Sequence, residues 1–162
     1  MRNATSLQQS PSKQLHSSFY DRNRPASYFE QCFEQVKKIG EGSFAEVFKV
    51  KSREDGKYYA VKKTKQLFRS ECCREERLEE VRRYEQFSEN EHCVTLYKAW
   101  EENDLLYMQF ELCKNSLEVY VEEMQNVPES FVWSFLLDML MVYCFLLNIQ
   151  YNLLNFLLYF RL

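Results

Sequence analysis

Residues 39–63 read IGEGSFAEVFKVKSREDGKYYAVKK, and this stretch decides the fold. On both sides of Asp55-Gly56, β-branched and aromatic residues alternate with lysine, and that dipeptide suits the backbone of a hairpin turn. The alternation predicts two antiparallel strands. Because strand side chains alternate between faces, Ala60 and Lys62 are expected on one face of the sheet and Val61 on the other.

The glycines of the chain are confined to this stretch. Average usage predicts about eleven glycines in a chain of this length, but only three exist, namely Gly40, Gly42 and Gly56. The segment from Ile39 to Val47 fits the pattern GxGxxGxV, except that Ala45 takes the third glycine position. A strand follows where a dinucleotide fold needs a helix, and the chain has no GKS or GKT for a P-loop. The pattern therefore indicates a glycine-rich flap whose amides can approach phosphate, or else a hairpin that merely needs glycine to turn.

Lys62 and Glu80 are the candidate charged pair. Lys62 lies in YAVKK, which matches the VAIK strand pattern of a phosphate-anchoring lysine, and it shares a strand face with Ala60. From residue 70 to 88 the sequence changes to a helical period. One helical face is predicted to carry Cys73, Arg77, Glu80, Tyr84 and Phe87. A carboxylate there could hold Lys62 in place; the alternative for each residue is an ordinary solvated charge.

The rest of the chain predicts further strands and then helices. Strands are expected at 94–100 and 105–112, joined by a turn at Glu102-Asn103-Asp104. A short helix is predicted near 116–124, and Pro128-Glu129 opens another that runs to 147. The fold class is therefore α+β.

Composition excludes several classes of function. There are 24 acidic and 21 basic residues, a net charge of −3 and no basic stripe, which argues against a nucleic-acid binder. Six cysteines without a CxxC spacing, and only two histidines, indicate neither a metal site nor a redox motif. The N-terminus lacks an apolar signal core, so a reducing, cytoplasmic location is expected.

The quoted residues resemble a known family. Residues 18–140 are similar to the start of the catalytic domain of Wee-family protein kinases, in particular the Myt branch of membrane-associated kinases that inhibit cyclin-dependent kinases (CDKs). The similarity includes SFYDRNRPASYFEQCFEQVKKIGEGSFAEV, LEEVRRYEQF and CVTLYKAWEENDLLYMQFELC. It implies an N-lobe with a five-stranded antiparallel sheet and an αC helix, followed by the first helices of an incomplete C-lobe.

The resemblance also implies roles for individual residues. Lys62 would anchor the phosphates of ATP, Glu80 would be its helix partner and Phe110 would be the gatekeeper, bulkier than the small or polar residue expected there. The hinge that binds adenine would follow it. The implied ATP-binding set is Ile39, Gly40, Glu41, Gly42, Ser43, Phe44, Ala45, Glu46, Val47, Ala60, Lys62, Glu80, Phe110, Glu111, Leu112 and Cys113.

Two motifs of an active kinase do not occur in these 162 residues. An HRD loop supplies the Asp that positions the substrate hydroxyl and an Asn ligand to magnesium, and a DFG motif supplies a further Asp ligand. The sequence contains neither motif and no acidic residue after Asp138. We therefore expect no catalytic residue and no metal ligand here, at most weak ATP binding, and no activity, although Mg²⁺ is implied for the family.

Four regions are expected along the chain. Residues 1–17 are predicted to be a disordered arm, 18–113 the kinase N-lobe with its hinge, 114–140 the start of the C-lobe (αD and αE), and 141–162 a divergent apolar tail. The longest unbroken apolar run of the last region, Met139–Leu147, is shorter than the roughly 20 residues that span a bilayer. We therefore favour a read-through intron or alternative exon over a membrane anchor.

The resemblance implies that the family transfers phosphate to Thr and Tyr in the glycine-rich loop of a CDK–cyclin complex, which restrains mitotic entry in the cell cycle. By family resemblance the location would also include the endoplasmic reticulum or Golgi membrane, or the nucleus. Two alternatives stay open for this chain. One is a non-catalytic module that binds nucleotide or a partner and docks through its apolar tail on protein or membrane. The other is a truncated isoform without function, whose uncovered apolar helix would aggregate.

Overall fold

The computed structural model describes residues 5–6, 17–67, 70–87, 90–124 and 126–159, with side-chain surroundings given between residues 17 and 147. The chain divides into two compact units. Unit 1 comprises Met1–Glu89 with Val94–Cys113, and unit 2 comprises Asn90–Cys93 with Lys114–Leu162. Most of the arm predicted to be disordered, residues 1–4 and 7–16, lies outside the described residues.

Unit 1 is built on an antiparallel sheet. Its strands are β1 (Thr5–Ser6), β2 (Phe33–Glu41), β3 (Ala45–Ser52), β4 (Tyr58–Thr64), β5 (Leu96–Glu102) and β6 (Leu105–Glu111). They lie in the order β1-β5-β6-β4-β3-β2. The predicted α+β class and five-stranded sheet are confirmed, and the two-residue β1 adds to the edge of β5. The turns follow the sequence signals, since Gly56, Asn103 and Asp104 have φ angles of 69°, 52° and 60°.

One face of the sheet is covered by a helix that the sequence did not predict. Pro25 indicated an extended lead-in, but α1 (Tyr28–Cys32) forms within it and is capped by Ser27 and Glu30. An aromatic-rich core joins α1 to this face of the sheet. It consists of Tyr28, Phe29, Cys32, Phe33, Phe48, Val50, Val61, Trp100 and Tyr107. We call this side the α1 face.

The opposite side packs against α2 (Glu71–Phe87), and we call it the α2 face. Its core contains Val81, Leu96, Leu106, Met108 and Phe110, with Ala60 and Tyr84 packed against it. Val61 and Ala60 therefore lie on opposite faces, as the alternation predicted. Of the residues predicted to share one face of α2, Cys73 is exposed.

Unit 2 contains α3 (Leu117–Glu123) and α4 (Glu129–Tyr159). Within this unit, Nδ1 of His92 lies 2.9 Å from Oδ1 of Asp138 on α4. The segment Glu129–Leu147 is long and apolar enough to cross a membrane, and none of it is buried. The same length and composition also occur in helices that belong in the core of a soluble protein.

Candidate functional site

The candidate charged pair is present in unit 1. Lys62 lies on β4 and Glu80 on α2, and the Lys62 ammonium donates a hydrogen bond to Oε1 of Glu80 at 2.5 Å. The two side chains are 27% and 28% exposed, so the pair is partly shielded from water and still accessible to a ligand. A lysine held in this way presents a fixed positive charge, which suits the recognition of phosphate.

The flap is the connection between β2 and β3. Its tip is held by two backbone hydrogen bonds, from the Gly42 N–H to the Ala45 oxygen and from the Lys65 N–H to the Phe44 oxygen, both at 2.9 Å. The Arg77 guanidinium of α2 lies 5.3 Å from the centre of the Phe44 ring. These contacts fix the flap tip beside the strand that carries Lys62, since Val47 pairs directly with Lys62 in the sheet.

The flap glycines are not required by the backbone fold. A Cβ added at Gly40 would meet Val47 at 3.5 Å, and one added at Gly42 would meet the Ala45 oxygen at 3.9 Å, both ordinary contacts. Neither residue has the positive φ found at Gly56. A methyl group at either position would therefore meet no obstacle within the protein itself, and the bare backbone leaves room for a ligand to approach the flap closely.

Glu41 at the end of β2 carries a negative charge held by two lysines. Its carboxylate pairs with the ammonium groups of Lys38 and Lys65. These hydrogen bonds, that of Lys38 first, lower the pKa of Glu41 to about 2. The two ammonium groups therefore offset a carboxylate that would otherwise repel a phosphate at the flap.

The predicted gatekeeper and hinge lie at the end of β6. Phe110 pairs with Ala60 in the sheet, is 8% exposed, and packs edge-on against Tyr84 with ring centres 4.9 Å apart. Glu111 donates its N–H to the Thr95 oxygen at 3.1 Å. Leu112 is half-buried and Cys113 is exposed. The Phe110 ring thus fills the space between the sheet and α2.

The structure brings together most of the predicted set. Lys62 contacts Glu80, and Ala60, Val47 and Phe110 flank that strand through sheet pairing. The predicted set also includes Ser43, which is exposed, and Glu46, whose carboxylate lies 2.9 Å from Nζ of Lys38. Sequence reasoning missed the roles of Lys38, Lys65 and Arg77 at the flap. Arg77 alone could have been found, because it shares a predicted helical face with Glu80.

The residues of the site can be compared with the groups that a metal ion and a nucleotide each require. Across the part of the chain that the structure describes, no group of three His, Cys, Asp or Glu side chains could hold a metal ion. The ammonium held by Glu80 and the exposed flap suit a phosphate group, whereas the described residues offer magnesium no set of carboxylate ligands.

The chain is similar to known proteins along most of its length. Residues 33–152 match the model of the protein kinase domain. The chain is 60% identical over 114 residues to a membrane-associated tyrosine- and threonine-specific cdc2-inhibitory kinase of Drosophila melanogaster, covering 70% of the chain and 21% of the relative. It is 38% identical over 128 residues to the corresponding wee-1.3 kinase of Caenorhabditis briggsae, covering 79% and 19%. A Wee1-like protein kinase of Arabidopsis thaliana is 39% identical over 85 residues, covering 52% and 17%. The chain thus spans about a fifth of the length of these relatives.

Proposed function

Because this chain belongs to the protein kinase family, with relatives of the Wee and Myt type, we propose that residues 18–113 form its ATP-binding lobe. The observation that carries the proposal is the ion pair between Lys62 and Glu80 on the strand next to the glycine flap. In a phosphoryl-transfer enzyme such a lysine neutralises and positions the phosphates, while flap amides hold them from the other side.

The proposed activity of a longer protein containing this lobe is the inhibitory phosphorylation of a CDK. Relatives that share 60% and 38% identity with the chain are named as cdc2-inhibitory kinases. The proposal extends their role to the Thr and Tyr residues in the glycine-rich loop of a CDK–cyclin complex, and so to restraint of mitotic entry. ATP would be the phosphate donor, with Mg²⁺ ligands supplied from outside these 162 residues.

The 162 residues alone are proposed to bind ATP weakly and to transfer no phosphate. Positioning of the substrate hydroxyl and neutralisation of the transferred group need the HRD and DFG side chains, and neither motif occurs in the sequence. Phosphorylation of a CDK–cyclin complex by the purified chain, lost in Lys62→Met, would refute this part of the proposal.

A thermal-unfolding experiment tests ATP binding directly. ATP at about 100 times its dissociation constant should raise the free energy of unfolding by about 2.7 kcal/mol. The Lys62→Met variant should show no such stabilisation by ATP, but without ATP it should melt at the same temperature as the wild type. A wild-type chain that shows no shift with saturating ATP would remove the ATP-binding lobe from the proposal.

A second candidate function rests on α4. Trp133, Leu137 and Leu140 are 64%, 59% and 58% exposed on a helix whose first nineteen residues are not buried. Such a surface suits a non-catalytic module that docks on a partner protein or on a membrane, and a relative is named membrane-associated. In that case the location would be cytoplasmic with endoplasmic reticulum or Golgi membrane contact. Co-flotation with phospholipid vesicles would support membrane docking, and aggregation in every condition would favour a truncated product without function.

A further inference from the structure

A pocket lies in unit 1, on the α1 face of the sheet and therefore on the side opposite Ala60 and the α2 core. Its volume is about 250 Å³. The lining consists of Tyr28, Cys32, Phe33, Ser52, Glu54, Asp55, Tyr59, Tyr97, Lys98 and Gln109. None of these residues belongs to the predicted ATP-binding set, so the pocket is a separate site.

A β-bulge shapes one wall of the pocket. Leu96 pairs with Phe110 and Lys98 pairs with Gln109, so one extra residue, Tyr97, is inserted into β5. A bulge re-aims side chains that would otherwise alternate. As a result both Tyr97 and Lys98 line the pocket, although neighbouring residues of a regular strand point to opposite faces.

The facing wall is fixed by the β3–β4 turn. Asp55 accepts hydrogen bonds from the Tyr59 hydroxyl at 2.6 Å and from the Lys57 N–H at 3.0 Å. The ring of Tyr59 in turn meets the ring of Tyr97 edge-on, with centres 5.4 Å apart. Tyr97 is 54% exposed, which leaves aromatic surface available at the mouth of the pocket.

The charges of the pocket favour a cationic ligand. Two carboxylates, of Glu54 and Asp55, face a single ammonium, that of Lys98. Lys98 is already engaged, since it donates to the Tyr28 hydroxyl at 3.1 Å, and Asp55 is engaged by Tyr59. Within the described residues the Glu54 carboxylate makes no hydrogen bond or ion pair, and Glu54 is exposed. An anion would meet uncompensated negative charge here.

Covalent chemistry is not favoured at this site. Cys32 lines the pocket, but burial raises the pKa of its thiol. A buried thiol of raised pKa holds little of the reactive thiolate. The pocket is therefore suited to reversible recognition.

We propose that this pocket binds the side chain of an arginine from a basic peptide segment of a partner protein. Its volume is below the usual range of about 300–1,000 Å³ for small-molecule sites, and above that of a cavity of about 150 Å³ that admits benzene. A guanidinium can stack on the exposed ring of Tyr97 while its N–H groups pair with Glu54. Arginine fits better than lysine or histidine, because its planar cation stays charged at neutral pH and carries five N–H donors in a fixed arrangement.

The test is an NMR titration of the full 162-residue chain with the peptide acetyl-Gly-Arg-Gly-amide. The control peptide replaces arginine with citrulline, which has the same shape without the charge. We expect chemical-shift changes at Tyr97, Lys98 and Gln109 when the arginine peptide is added. The citrulline peptide should bind at least about tenfold more weakly than the arginine peptide. Saturating ATP should leave the arginine affinity unchanged, because the nucleotide set lies elsewhere. This outcome does not depend on whether ATP binds, so the two proposals fail separately.

Substitutions in the pocket test whether the arginine peptide binds there. Glu54→Gln should weaken binding of the arginine peptide about tenfold, and Tyr97→Leu should weaken it about two- to fivefold. Both variants should keep the circular dichroism spectrum of the wild type. Glu34→Gln, which removes the same charge from an exposed position outside the pocket, should have no effect. Equal binding of arginine and citrulline peptides, unchanged affinity in Glu54→Gln, or no binding at millimolar peptide would each overturn the proposal.

Discussion

Oε1 of Glu102 accepts a hydrogen bond from the backbone N–H of Tyr28 at 2.5 Å, joining residues 74 positions apart. Oε2 accepts a second hydrogen bond from the Phe29 N–H at 3.4 Å. Both N–H groups lie in the first turn of α1, where a helix offers them no internal partner. Glu102 is 4% exposed. A single carboxylate at the end of β5 thus fixes α1 over the sheet.

Two replacements of Glu102 should distinguish the contribution of its hydrogen bonds to stability from the contribution of its charge. Glu102→Ala leaves two buried N–H groups without an acceptor and should lower the free energy of unfolding by about 1–3 kcal/mol. Glu102→Gln keeps an acceptor oxygen and should cost much less at neutral pH. Urea unfolding of the three proteins at pH 7 measures both differences. Equal losses in the two variants would show that the charge itself holds α1.

The same residue predicts a pH dependence of stability. Burial raises the pKa of Glu102 from its ordinary value of 4.5, and this outweighs the two N–H donors, which lower it. A carboxyl with a raised folded pKa contributes most stability below 4.5 and loses that contribution as pH rises through the folded value. The free energy of unfolding of wild type relative to Glu102→Gln should therefore fall as the pH rises from 4.5 through the raised pKa of the folded state. A rise over that interval would contradict the assignment.

Sequence reasoning succeeded where the signal is local. The β3–β4 hairpin follows from alternation around Asp55-Gly56, and the helix carrying Glu80 follows from its period. The helix α1 was missed, although the spacing of Ser27 and Glu30 is that of a capping box. Its five residues are stabilised by Glu102, whose distance along the chain no short pattern reveals.

In the candidate site, too, residues on regular elements could be predicted and long-range contacts could not. Lys62 and Glu80 could be assigned because each occupies a recognisable position on a regular element. The pocket on the α1 face could not be predicted, because a bulge at Tyr97 breaks the alternation on which strand predictions depend. The contact of Lys65 with Glu41 also depends on how the strands pair, which the spacing alone does not give. The contact of Lys38 with Glu41 is local, but it spans an irregularity of β2 between Lys38 and Gly40.

The Lys62–Glu80 pair is predicted to serve ligand binding more than stability. Since more than a quarter of each side chain is exposed, we expect a coupling free energy of about 0–1 kcal/mol in a double-mutant cycle of Lys62→Met and Glu80→Gln without nucleotide. The ATP-dependent rise in melting temperature should fall in both single variants. A coupling of several kcal/mol without ATP would instead identify a structural ion pair.

The two kinds of glycine in the chain predict opposite effects of alanine. Gly42→Ala meets no close atom and should leave the free energy of unfolding unchanged or raise it by about 0.4–1 kcal/mol. Gly56→Ala, the matched control, places a side chain at a φ of +69° and should cost about 1–2 kcal/mol. ATP should stabilise Gly42→Ala less than wild type, because the new methyl group obstructs the approach to the flap. Full ATP stabilisation of Gly42→Ala would show that the flap amides do not contact the ligand.

The exposed face of α4 predicts the solution behaviour of the chain. Leu137 and Leu140 are 59% and 58% exposed, next to other apolar side chains of the same helix. Such contiguous apolar surface promotes self-association in water. The double variant Leu137→Lys/Leu140→Lys should shift the chain from aggregate to monomer in light scattering, without loss of helical circular dichroism. The control Glu122→Lys/Glu123→Lys, which changes exposed acidic residues of α3, should not do so. A wild-type chain that is monomeric in detergent-free buffer would contradict the prediction, since it would mean that the helix is covered.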